Sequence, residues 1–217
     1  MAEAAIGSPA TPVRRAALLP ALALAFGLLA SAAAAQPASD PDWPCVQRLV
    51  PVISGGQVWS ASPLDELGDG WQQDPEIAPL VQELTSRRTP LPRAEAAARA
   101  FAAALPEEQR GQRVALLFKG VLDTINAQRG ELIEGIKRFA RRQQQLAGKI
   151  AATNARLDTS VPGRAPSDGE SLRSERDWDL RVYDERQRSL GVLCEQPVLL
   201  DQRAFALARV LQAEPTP

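Results

Sequence analysis

The sequence predicts an all-α protein: a long antiparallel, coiled-coil-like helical hairpin with two shorter helices at its base and an irregular N-terminal wrap. Three observations carry this expectation. First, residues 114–157 hold apolar side chains at steps of mostly three and four: Val114, Phe118, Val121, Ile125, Leu132, Ile136, Phe139, Leu146, Ile150 and Leu157. A helix of that span is ~65 Å long and needs a partner to cover its stripe. Second, a matching stripe (Leu172, Leu180, Tyr183, Leu190, Cys194, Val198, Phe205, Ala208, Leu211) follows the clearest loop in the chain, the Pro- and Gly-rich residues 161–169. Third, a turn centred near residue 163 sets Arg141 opposite Glu185, Arg142 opposite Asp184 and Lys149 opposite Asp177. Opposite charges then meet across the hairpin.

In chain order, residues 1–35 read as a cleaved signal peptide. Arg14 and Arg15 precede the apolar core of residues 18–29, and Ala33-Ala34-Ala35 supplies the small-residue cleavage site. The expected destination is the periplasm of a Gram-negative bacterium. Cleavage removes one acidic and two basic residues, so the formal net charge moves only from −1 to −2. That is no electrostatic footprint for nucleic acid. After cleavage no apolar run is long enough to span a bilayer.

Residues 36–74 form the wrap. Pro37, Pro41, Pro44, Pro51 and Pro63 interrupt regular structure, and three of the four tryptophans, Trp43, Trp59 and Trp71, lie here. They serve either as anchors gripping the helices or as a contact surface for a partner or flat ligand. The helical domain covers 75–213. Asp74-Pro75-Glu76 is a helix start, so a first short helix should occupy 75–87. An alanine-rich second should occupy 92–105, anchored by Phe101 and Leu105. The hairpin arms follow at 106–158 and 168–213, joined by the loop 159–167, and a tail closes the chain at 214–217. Gly130 on the first arm falls level with Pro197 and Cys194 on the second, which predicts a shared soft point. The inward positions beyond it turn polar at Gln143 and Thr153.

Cys45 and Cys194 are the two cysteines of an exported chain, and we expect them to be disulfide-bonded. Catalytic chemistry is sparsely represented. The chain has no histidine, and its lysines are Lys119, Lys137 and Lys149, all on the long helix. That removes the commonest general base and the commonest zinc ligand. No cofactor, metal site or catalytic residue is expected. The basic run holding Arg138, Arg141 and Arg142 is a solvated face or a contact for a partner, an anionic lipid or a polymer. The function expected is therefore a non-catalytic helical interaction, adaptor or chaperone-like protein of the cell envelope, acting through a protein partner or self-association along the hairpin. The alternative is a periplasmic small-molecule or glycan binder, or a carboxylate-type hydrolase, working through the N-terminal tryptophan segment.

Overall fold

The computed structural model describes residues 40–159 and 166–213. The expected signal peptide, the middle of the hairpin loop and the 214–217 tail lie outside them. Every regular element among the described residues is helical: α1 (Gly55–Val58), α2 (Ile77–Thr85), α3 (Leu91–Ala104), α4 (Glu107–Asp158) and α5 (Pro166–Gln212), with two short 3-10 turns at Asp65–Leu67 and Gly70–Gln72.

The 52-residue α4 is opened by Pro106, with Glu107 and Glu108 in its first turn, where carboxylates favour the partial positive charge of a helix start. Much of the expected stripe turns inward: Val114, Phe118, Val121, Ile125, Ile136 and Ile150 are buried, and so are Gln143 and Thr153, while Phe139, Leu146 and Leu157 are only partly covered. Leu132 is only partly covered, and Ile133 takes the buried place beside it.

Helix α5 runs antiparallel along α4. Arg129 meets Asp201, the Gln143 amide donates to the Tyr183 carbonyl at 2.8 Å, and Lys149 sits 2.9 Å from both Glu175 and Asp179. Lys149 thus straddles the Asp177 expected opposite it. These two carboxylates hold its ammonium above the usual lysine range, Asp179 foremost. Both arms continue as helix through the level of Gly130 and Pro197.

The inward face of α5 differs from the expected one. Leu180 and Phe205 are 39% and 44% exposed, while Asp179, Leu200, Ala204 and Leu207 are buried. At the base α3 packs on α5 with Ala94, Ala98 and Ala102 fully buried, and nearer the tip Asp179 turns inward to Lys149 of α4, 2.9 Å away. Methyl groups let α3 and α5 approach closely, so this part of the core is lined by small residues. Phe101 and Leu105, expected as the anchors of α3, lie partly buried at its margin.

The core sits at the base, where α2 contributes Ile77, Val81 and Leu84, all with no exposed surface, against α4 and α3. Each such side chain stabilises the fold by about 1.5–3 kcal/mol. Asp74 starts α2 as expected of a cap. Its Oδ1 accepts from the backbone N–H of Glu76 and Ile77, both at 3.0 Å, and Arg113 lies 3.0 Å from its Oδ2.

Candidate functional site

The N-terminal segment is a strap laid along α4 in the reverse direction. Successive attachments show this: Asp42 to Arg141 at 2.7 Å, the Val50 and Pro51 carbonyls to Arg129, Ile53 to Asn126, and Trp59 on Phe118. Asp40 joins Lys137 at 2.9 Å at the start of the strap. An extended segment rich in proline cannot satisfy its own backbone, and side chains of α4 do this instead. Asn126 brackets Ile53, accepting from its N–H at 2.9 Å and donating to its carbonyl at 3.0 Å. The Cys45–Cys194 disulfide then ties strap to α5, closing a sequence separation of 149 residues with Cα atoms 5.7 Å apart.

Arg129 is the hinge of this arrangement, and sequence reasoning does not single it out. It is 3% exposed, donates to Val50 and Pro51, and places Nε 2.5 Å from Asp201. One buried cation thereby joins strap, α4 and α5. Burial pushes the Asp201 carboxyl up, and the neighbouring guanidinium pulls against that rise. Sequence alone offers one clue: an arginine standing level with Pro197 on an inward-facing part of α4. A cavity of about 50 Å³ lies at the same level, bounded by Trp43, Arg129, Cys194 and Pro197. It is water-sized and too small for an organic ligand.

The tryptophans separate into two roles. Trp59 and Trp71 are 6% and 8% exposed. Trp59 stacks on Phe118 with centroids 4.7 Å apart, and Trp71 donates from Nε1 to Asp123 at 3.1 Å. Trp71 also presses on α4 at Gly120, where an added Cβ would stand 2.8 Å from the indole and 2.7 Å from Val81. Trp43 is half-buried and turns its Nε1 to the Gln47 carbonyl at 2.7 Å. Trp59 and Trp71 thus lie where anchors are expected: a segment with no core of its own grips the helices with its large side chains. The fourth tryptophan, Trp178 on α5, is the exposed one, at 62%.

The basic run is also divided. The hairpin register sets Arg141 opposite Glu185, but the strap brings Asp42 to it and takes that pairing. Glu185 pairs instead with Arg188 on its own helix. Arg138 and Arg142 remain exposed. All three lysines stand in ion pairs: Lys119 with Asp123 at 2.6 Å, Lys137 with Asp40 and Glu134, and Lys149 as above. Among the described residues no cluster of three or more carboxylates or cysteines is placed to hold a metal ion. No helix among them is long and apolar enough to cross a membrane.

Among the charged residues that α5 exposes stand several large apolar ones, Trp178 foremost. Val192 and Leu199 are 61% and 54% exposed, and they stand at heptad multiples from Trp178. Arg181 lies over the Trp178 ring at 5.6 Å and supports one face of it. The chain matches no protein-family model, no curated protein and no solved structure.

Proposed function

We propose that this is an exported, non-catalytic interaction protein of the cell envelope, of the adaptor or chaperone-like kind, whose protein partner docks on the outer face of α5. The observation that carries the reading is Trp178, a large aromatic side chain left 62% exposed on a rigid helix in line with Val192 and Leu199. Scattered apolar residues are ordinary on a surface. An exposed tryptophan is different, because tryptophan is enriched at the centres of protein interfaces. Export is supported by the signal-like residues 1–35 and by the Cys45–Cys194 bond, which persists in oxidising compartments.

The test is a pair of outward charge substitutions, Trp178→Glu and Val192→Glu. Both positions are exposed, so the far-UV circular dichroism and the melting temperature should stay those of the parent. Co-purification of the envelope partner, or dimerisation in sedimentation if the partner is a second copy, should be lost. Retention of the same complex by the folded double variant would refute the reading.

A further inference from the structure

A cleft of about 450 Å³ lies between the α2–α3 connection and α5, within the size range of small-ligand sites. It is bounded by Arg87, Gln196 and Arg203, with Leu91, Leu199 and Leu200 as the apolar wall, and no carboxylate among the described residues lines it. Arg203 is held in place from behind: its two terminal nitrogens donate to the Leu84 carbonyl at 2.8 Å and the Thr89 carbonyl at 2.6 Å. These carbonyls fix the guanidinium but carry no charge to balance it. No carboxylate stands within ion-pair distance of Arg203 among the described residues. Burial accordingly disfavours its charged form. Arg87 reaches the rim from the end of the connection and donates to Gln196 at 3.3 Å, a long bond that a better acceptor would displace. Leu199, in the same wall, keeps over half of its surface open.

We propose that this cleft binds an amphipathic organic monoanion, a carboxylate carrying an unbranched apolar chain. The carboxylate would lie between the guanidiniums of Arg87 and Arg203, accepting from Arg87 and from the N–H groups that Arg203 does not give to Leu84 and Thr89. The chain would cover Leu199 and Leu91. Each half of the ligand matches one feature of the cleft: a part-buried guanidinium that meets no carboxylate among the described residues, and the exposed surface of Leu199. The cleft shares Leu199 with the outer-face row, but Trp178 and Val192 do not line it, so the proposal extends the function to ligand binding.

The experiment is isothermal titration of the full chain with octanoate, and with octanol and inorganic phosphate as probes of each half alone. Octanoate should bind one-to-one, with octanol and phosphate each at least about tenfold weaker. Leu199→Asp places a like charge in the wall and should weaken octanoate about tenfold or more. Arg87→Ala should weaken it about three- to tenfold. Both positions are exposed, and circular dichroism checks that both variants keep the fold. Trp178→Glu should leave octanoate binding unchanged, which separates failure here from failure of the outer-face reading. The proposal is overturned if octanoate does not bind, or if Leu199→Asp and Arg87→Ala leave its affinity intact. Phosphate binding as tightly as octanoate overturns it too, as does loss of octanoate binding in Trp178→Glu.

Discussion

Replacing Gly120 by alanine tests how the strap is seated on α4. Alanine is the better helix former, so an unconstrained Gly→Ala change within a helix stabilises by up to about 1 kcal/mol. At Gly120 the new methyl carbon would stand 2.7 Å from Val81 Cγ2, 2.8 Å from Trp71 Cδ2 and 2.9 Å from Trp71 Cε3. None of these atoms is the far end of a flexible chain; the indole must move as a unit. Overpacking of that kind costs about 1–3 kcal/mol. Movement of the indole also endangers its 3.1 Å bond to Asp123. Gly130 on the same helix supplies the control, since a Cβ added there would meet nothing within 4 Å. Both changes carry the same propensity gain, which cancels in their difference. Urea unfolding followed by far-UV circular dichroism should therefore place Gly120→Ala below Gly130→Ala by about 1–3 kcal/mol, with Gly130→Ala at or above the parent. Equal stability of the two variants would refute the claim that Gly120 sets the distance between α4 and Trp71.

Three further outcomes follow from the geometry. Cys194→Ala should lower stability by up to about 5 kcal/mol, the chain-entropy limit for so long a loop, and hydrogen exchange should rise most in residues 40–53. Arg129→Met should cost about 3 kcal/mol in urea unfolding, because Asp201 and two strap carbonyls lose their partner; Asp201 is a third exposed, which keeps the cost from the upper end. Adding Asp201→Leu should recover part of that loss. The backbone N–H of Ile77, then that of Glu76, and Arg113 hold Asp74 below the usual carboxylate range against the opposing effect of burial. A depressed carboxyl stabilises the fold above its unfolded value of about 3.9, and this contribution disappears as pH falls through the lower folded value. Asp74→Asn should therefore be less stable than the parent at neutral pH, and the gap should close in melts taken below about pH 4.

The long stripe of α4 is legible in the sequence because large apolar residues at three- and four-residue steps leave only one face to bury. The same spacing in α5 misleads at Leu180 and Phe205. At the base the buried positions include Ala204 beside Leu200 and Leu207, where α3 packs, and nearer the tip Asp179, which turns inward to Lys149 and carries no hydrophobic signal. Asp74 as a helix start and Cys45–Cys194 as a covalent tie are readable from local chemistry and cysteine count. The course of the strap is not, because its attachments to Asn126, Arg129, Lys137 and Arg141 are long-range pairings without periodicity. That course explains why Arg141 does not meet Glu185 and why Trp59 and Trp71 are anchors. Trp178 gives no sequence signal, since it sits among charged residues. Its exposure becomes visible only once α5 is placed against α4.

The central claim, that the outer face of α5 is the working surface, is tested most directly by site-specific photocrosslinking in the native envelope. A photoreactive residue would replace Trp178 or Val192 in turn, with Gln144 on the exposed side of α4 as the control. Positions 178 and 192 should each give one discrete adduct, of the same mass and identity, and position 144 none. The same adduct from all three positions, or none from 178 and 192 in folded protein, would contradict that claim.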